Sequence, residues 1–145
     1  MTLYYVITFT LVFLITEFTY LALEKKGMPW NCILYKSGAK FTYAITRKGH
    51  LHRLMMPMFL HTGFFHIFWN IISFFMIGFS IEAAINDWRK YSLLLFLGAI
   101  GGNSFSAVID PYNLGVGAST SLFAVLGCLC MWFYINFDRM GPFKY

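Results

Sequence analysis

The stretch HTGFFHIFWN, from His61 to Asn70, places two histidines and an asparagine in a run that is otherwise apolar. It belongs to a chain of 145 residues with 59% hydrophobic and only 12% charged residues, which is outside the range of soluble globular domains. Hydrogen-bonding side chains in lipid must find partners, so these three residues indicate either contacts between helices or a functional site. The stretch therefore indicates a membrane-embedded fold and marks a candidate functional site.

Four apolar stretches are each long enough to cross a hydrocarbon core of about 30 Å, which takes roughly 20 residues of helix. They run from Leu3 to Leu23, Leu54 to Ile81, Tyr91 to Ile109 and Tyr112 to Phe137. These stretches are continuous, whereas the strands of a membrane β-barrel would be short and alternating. We predict an all-α, polytopic transmembrane helix bundle with four spans, an integral multi-pass protein of the lipid bilayer. No linker or internal repeat divides residues 1–145, so we expect a single membrane domain.

Several other classes of protein are disfavoured by composition. The three cysteines show no C-x-x-C spacing and no adjacent histidine, so we expect no disulfide framework, no metal and no cofactor. Many of the basic residues are scattered through the connection between the first two spans, and they form no compact face for a nucleic acid. That connection, residues 24–53, mixes turn formers with aromatic residues. It fits an amphipathic segment at the membrane interface or a partly ordered loop about equally well.

The polar residues of the second span differ in their expected directions. On a helix, His66 and Asn70 are four residues apart and share a face, whereas His61 lies about 140° around from His66. The pair can therefore point at one site, and His61 is expected to point elsewhere. A membrane-embedded histidine or asparagine can also simply bond to a neighbouring helix, a contact worth about 1 kcal/mol. The pair alone does not decide between packing and function.

The fourth span opens with LGVGASTSLFAVLG, residues 114–127, a helix start with little side-chain bulk. Ser119, Phe123 and Gly127 follow at intervals of four and share one face. Small residues by themselves favour close packing of helices. A serine hydroxyl becomes a useful nucleophile when a base takes its proton and donors stabilise the oxyanion. His66 and Asn70 are suitable residue types for such donors.

Two motifs together resemble the rhomboid family of intramembrane serine proteases. RLMMPMFLHTGFFHIFWN, Arg53 to Asn70, is similar to the family's second-helix motif with its H-x4-H-x3-N spacing, and GASTSLFAVLG, Gly117 to Gly127, is similar to its nucleophile motif G-x-S-x. Further similarities are Gly78 and Glu82 in the second span and Gly98, Gly101 and Gly102 in the third. The resemblance covers essentially the whole chain.

The resemblance implies a serine endopeptidase that cleaves transmembrane segments of membrane-protein substrates. Ser119 would be the nucleophile, and His66, Asn70 and the backbone N–H of Ser119 would form the oxyanion hole. The residues expected to support this site structurally are His61, Gly117, Phe123, Arg53 and Glu82. Of these, Arg53 would fix the interfacial loop, and Phe123 would stand where the family carries an aromatic that packs on the catalytic histidine.

Three departures from the family pattern are visible. Thr120 follows the serine where a second glycine is usual and is expected to crowd the turn, and His52 precedes Arg53 where tryptophan is usual. The family's general base is a histidine on a sixth core helix, whereas all four histidines here precede Ser119. We therefore expect a domain that is C-terminally incomplete or completed by another chain. The alternative is a catalytically inactive rhomboid-like protein that binds transmembrane helices, and a small structural membrane protein is a third option.

Overall fold

A computed structural model describes residues 1–139, and four helices in this range are long and apolar enough to cross a membrane. The first is α1 (Thr2–Glu24), and the connection that follows contains α2 (Trp30–Lys36) and α3 (Thr42–Lys48). The second span, Phe64–Ile85, consists of α4 (Phe64–Ser73), a π-helical turn (Phe74–Gly78) and α5 (Phe79–Ile85). The third span is α6 (Trp88–Ile109), and the fourth comprises α7 (Ser119–Asn136) and a short 3-10 turn to Arg139. The predicted all-α, multi-pass fold is confirmed.

The apolar core lies where the four spans meet. Phe9 of α1, Phe74 of the second span, Leu95 of α6 and Val125 of α7 are fully buried there. The rings of Phe9 and Phe74 are 5.3 Å apart in an edge-to-face arrangement. Many large apolar side chains on the outer faces of the same helices are exposed, as expected for helices surrounded by lipid tails.

Small residues bring α6 and α7 into close contact. A side chain at Gly98 would overlap the Cβ atom of Ala124, and one at Gly102 would come within 2.7 Å of the Cβ atom of Thr120. Thr120 therefore packs into the space that Gly102 leaves on the neighbouring helix. The bulk of Thr120 is thereby accommodated between the two helices.

The start of α1 is joined to the second and third spans by a polar cluster. Glu82 accepts a hydrogen bond from the backbone N–H of Thr2 at 2.8 Å and pairs with the ammonium group of Met1. The Thr2 hydroxyl donates to the hydroxyl of Tyr91 at 2.9 Å. Gly78 leaves room for this contact, since a Cβ atom there would lie 3.0 Å from the Tyr91 hydroxyl oxygen. Glu82 thus joins the start of α1 to the end of the second span.

The predicted starts of two spans were wrong. The second span begins at Phe64 rather than Leu54, because residues 51–59 form two 3-10 turns around Pro57, which lacks an N–H and disfavours a continuous helix. The fourth span begins at Ser119 rather than Tyr112. Residues 110–118 cannot continue a helix, because Gly115 pairs with Lys40 in an isolated β-bridge and Gly117 has a φ of +122°.

The connection between the first two spans is folded into short helices rather than a partly ordered loop. Arg53 is 5% exposed, and its Nη1 atom donates to the carbonyl oxygens of Tyr35 at 2.7 Å and Ala39 at 2.9 Å. Its guanidinium group also lies 4.2 Å from the centroid of the Tyr35 ring. Arg53 therefore fixes the path of this connection against the start of the second span.

Candidate functional site

Ser119 is the first residue of α7 and follows a turn that only glycine adopts readily. Gly117 has a positive φ of +122°, and Ala118 stands at the N-cap position. The first backbone N–H groups of a helix have no carbonyl partners within the helix, and they carry partial positive charge. The N–H group of Ser119 belongs to this first turn. The local fold therefore places a hydroxyl beside a backbone donor.

His66 points its Nε2 atom at this turn. A Cβ atom added to Gly117 would lie only 2.6 Å from Nε2 of His66 and 3.7 Å from Oγ of Ser119. The missing side chain of Gly117 thus leaves room between the imidazole and the serine hydroxyl. Glycine at position 117 serves both the positive φ and the close approach of the histidine.

The hydrogen bonds of His66 determine which ring nitrogen carries the proton. Its Nδ1 atom lies 3.0 Å from the hydroxyl of Thr62 and 3.5 Å from the backbone N–H of Thr62. The hydroxyl contact fits either tautomer, but a backbone N–H can only donate, so the longer contact favours Nδ1 as acceptor and a neutral ring with its proton on Nε2. His66 therefore presents an N–H donor toward Gly117 and Ser119.

Asn70 lies one helical turn beyond His66 on α4. Its Nδ2 atom donates to the carbonyl oxygen of His66 at 3.1 Å, which uses one of the two amide protons. Asn70 is buried among its neighbours, and it lines a groove of about 240 Å³ together with Ser119. The other walls of the groove are mainly apolar and include Trp69, Leu122 and Phe123. The second proton of the amide is available to a group bound in this groove.

His61 lies beside His66, contrary to the expectation that it points elsewhere. It precedes α4 instead of lying on it, and its ring centroid is 5.1 Å from that of His66 at an interplanar angle of 70°. The side chain is 0% exposed, and neither ring nitrogen has a hydrogen-bond partner among residues 1–139. Burial, and secondly the neighbouring His66, lower the pKa of His61 to about 4 against an opposing effect of the Phe59 backbone, so the ring is neutral at pH 7. The uncharged ring of His61 therefore packs against His66, the candidate oxyanion donor.

Of the remaining predicted site residues, Phe123 lines the groove, whereas Arg53 and Glu82 do not. Phe123 lines the groove one turn after Ser119 and is 72% exposed. Arg53 and Glu82 hold the connection and the helix ends described above. Two contacts of the site were missed from the sequence: Thr62 with His66, and the backbone N–H of Gly117, which donates to the Pro57 carbonyl at 2.8 Å. The four-residue spacing of Thr62 and His66 could have indicated the first contact, whereas the second joins distant segments and has no sequence signal.

A general base for Ser119 is not found in the described part of the chain. No side chain among residues 1–139 forms a hydrogen bond with Oγ of Ser119, and none of the described residues form a group suited to hold a metal ion. His50 and His52 pack on each other with ring centroids 5.5 Å apart, and His50 accepts from Arg53. The arrangement therefore places Ser119 and Asn70 in one groove, and His66 against the turn at Gly117 that precedes the serine.

The fold and this arrangement define a polytopic membrane protein with a serine at the start of one span and histidine and asparagine donors on another. Residues 48–145 match the family model described as Rhomboid domain, and the chain belongs to the rhomboid family. It is 38% identical over 119 residues to Rhomboid-like protease 1 of Toxoplasma gondii, a match covering 78% of this chain and 38% of that protein.

Other relatives differ in the activity that their names state. Rhomboid protease GluP of Bacillus subtilis is 34% identical over 125 residues, which is 84% of this chain and 24% of that protein. Inactive rhomboid protein 2 of Homo sapiens is 32% identical over 78 residues, which is 54% of this chain and 9% of that protein. The chain spans less than two fifths of the length of each of these three relatives. No solved structure matches the chain.

Proposed function

We propose that the protein is a rhomboid-type intramembrane serine endopeptidase that cleaves transmembrane segments of membrane-protein substrates. The observation that carries this proposal is the approach of His66 Nε2 to Gly117 next to the Ser119 hydroxyl. A packing role needs neither the glycine with positive φ nor a proton directed toward the serine. Asn70 in the same groove adds a second side-chain donor.

In the proposed reaction, Oγ of Ser119 attacks the carbonyl carbon of the scissile peptide bond. The Oγ–C bond forms as the carbonyl π electrons move onto the oxygen, which becomes an oxyanion. The donors available to it are the N–H of Ser119, Nε2–H of His66 and the free amide proton of Asn70. The oxyanion then collapses, the C–N bond breaks and the protonated amine leaves. Water hydrolyses the acyl-enzyme. Removing one such donor typically slows catalysis about 100- to 1,000-fold.

The proton of Oγ must pass to a base and then to the leaving amine. His66 donates through Nε2, so the same nitrogen cannot accept this proton. We propose that the base is a histidine outside these 145 residues, on further helices of a longer polypeptide or on another chain. This proposal is consistent with the small share of the relatives' length that the chain spans.

The shape of the groove supports an apolar substrate. It lies between the second span and α7, and its walls are mainly apolar around the three polar side chains Asn70, Ser73 and Ser119. Trp69 and Phe123 are exposed on its rim, where lipid tails or an apolar peptide can contact them. A transmembrane segment can therefore enter without removing charged groups from water.

The test uses the protein as produced from its own gene, purified and placed in lipid nanodiscs with a fluorogenic transmembrane peptide. We expect cleavage by the native product, covalent labelling of Ser119 by a fluorophosphonate, and loss of both in Ser119→Ala. Thr120→Ser, which alters the neighbouring hydroxyl residue and keeps Ser119, serves as the matched control. Cleavage that persists in Ser119→Ala would overturn the assignment of the nucleophile.

A second candidate function is non-catalytic binding of transmembrane helices. It is supported by the lack of a side chain bonded to Ser119 among residues 1–139, and one relative carries the name of an inactive rhomboid protein. This function predicts that wild type and Ser119→Ala bind the same peptide with equal affinity, that neither cleaves it, and that the fluorophosphonate does not react.

A further inference from the structure

Lys40 is a buried cation in the connection between the first two spans. Its side chain is 1% exposed, and its Nζ atom donates to the carbonyl oxygen of Asp110 at 2.7 Å, with the Ser106 carbonyl at 3.5 Å. These carbonyls lie at the C-terminal end of α6, where C=O groups carry partial negative charge; that of Ser106 also accepts from the Asp110 N–H. Lys40 thus caps the third span from a distant segment.

The backbone of Lys40 forms a second contact with the segment that follows α6. Its N–H donates to the Gly115 carbonyl at 2.9 Å, and the Gly115 N–H donates back at 3.0 Å. The aliphatic part of the lysine lies against Gly115, where an added Cβ atom would be 2.8 Å from Cε of Lys40. One residue therefore fixes both Asp110 and Gly115.

These contacts determine the path of the chain into the serine. The segment 110–118 joins α6 to α7 and has no regular secondary structure beyond the bridge at Gly115. It is held at Asp110 and Gly115 by Lys40, and at Gly117 by the carbonyl of Pro57. Ser119 follows two residues later.

The backbone next to Lys40 is in turn held by Arg53. Ala39, its neighbour in the chain, accepts a hydrogen bond from the buried guanidinium group of Arg53. Burial lowers the pKa of Lys40, and the charge of Asp110 opposes this effect. A buried ammonium group carries a desolvation cost that its hydrogen bonds must offset. Its place at the carbonyl end of α6 provides those bonds.

We propose that Lys40 is a positioning residue for Ser119, because it clamps the 110–118 segment and thereby sets Gly117 and Ser119 against His66. Its effect on catalysis rests on the proposed protease function, whereas the clamp itself does not. The residue touches neither the serine nor the groove.

Hydrogen exchange measured by mass spectrometry on the protein in nanodiscs tests the clamp without any activity. Lys40→Met keeps the length of the side chain and removes its charge and donors. We expect the hydrogen-bonded amides of Gly115 and Gly117 to exchange at least about tenfold faster, with the middle of α6 unchanged. Lys36→Met, at an exposed lysine of α2, is the matched control and should leave this segment unaffected. If Lys40→Met does not accumulate, Lys40→Gln is measured instead, with an intermediate increase expected. Exchange within twofold of wild type in the folded variant would overturn the proposal.

Peptide cleavage then tests positioning. A shift of about 1 Å in reacting groups can cost roughly 100-fold in rate, so we expect kcat of Lys40→Met to fall about 10- to 100-fold with KM within about threefold. Lys40→Arg, which keeps a cation and donors, should recover most of kcat. An unchanged kcat despite faster exchange would refute positioning of the serine. If wild type itself does not cleave, the protease proposal fails, and the exchange result still decides the clamp.

Discussion

Gly117→Ala adds one methyl group at the point where the candidate site is most closely packed. The glycine has a φ of +122°, a backbone conformation that residues with a Cβ atom rarely adopt. The new Cβ atom would lie 2.6 Å from Nε2 and 2.9 Å from Cε1 of His66. Either the imidazole or the 117–119 turn must therefore move.

Two contributions set the expected loss of stability. A non-glycine residue in a sparsely populated backbone region costs about 1–3 kcal/mol. Displacing the His66 ring from its rotamer adds about 0.5–1.5 kcal/mol. The free energy of unfolding should therefore fall by roughly 1.5–4.5 kcal/mol. If the protein is the proposed protease, the displaced donor should also lower kcat about 100- to 1,000-fold.

A double-mutant cycle isolates the contact with His66 from the backbone strain. Unfolding by SDS in mixed micelles gives the free energies of wild type, Gly117→Ala, His66→Ala and the double variant. The ring contribution is absent in the His66→Ala background, so we expect a coupling energy of about 1 kcal/mol. Gly127→Ala, a helical glycine of α7 with no atom within 4 Å of the added methyl, should be neutral or stabilising by up to about 1 kcal/mol. Additive effects within about 0.3 kcal/mol would refute the close approach of His66 to Gly117.

Three further substitutions test the frame around the site by the same unfolding measurement. Gly102→Ala should cost about 1–3 kcal/mol by overlap with Thr120, and a smaller cost in a Thr120→Gly background is expected; equal costs in both backgrounds would contradict the packing described. Arg53→Met should cost about 2–4 kcal/mol, because two backbone carbonyls lose a charged donor and only that of Tyr35 keeps another, the N–H of Gly38; a loss below about 0.5 kcal/mol would contradict that role. For His61, the folded pKa of about 4 lies below the ordinary 6.5, so protonation favours the unfolded state and stability falls as the pH drops from about 6.5 toward 4, by up to about 1.4 kcal/mol per unit. His61→Phe should remove that part of the slope, and an unchanged slope would contradict it.

The parts of the fold predicted correctly from the sequence are those determined by local pattern. Apolar stretches of sufficient length identified four helical spans, and the ends of the first and third spans were placed within three residues. The four-residue spacing of His66 and Asn70 placed both on α4, because a helix repeats nearly every four residues.

The errors occurred where contacts between distant segments decide the backbone. His61 was placed on a helix that begins only at Phe64, because hydropathy does not register the turns around Pro57. The fourth span begins seven residues later than predicted, since residues 112–118 carry no charge that marks them as a loop but pair with Lys40 and Pro57. The contact of Thr120 with Gly102 on the neighbouring helix is likewise not visible in the sequence.

The same reasoning explains why long polar donors are concentrated around the irregular segments. Backbone carbonyls outside regular helices need partners when water is excluded, and an unpaired one costs about 1–3 kcal/mol. Lys40 satisfies carbonyls at the end of α6, Arg53 satisfies two in the first connection, and Asn103 donates to the Leu54 carbonyl at 2.9 Å. In the sequence, the lysine and arginine belong to a scattered set of basic residues. In the structure they stabilise the non-helical turns, and only such turns can bring Pro57, Gly117 and Ser119 to one place. The position of the candidate nucleophile therefore depends on charges that lie outside its groove.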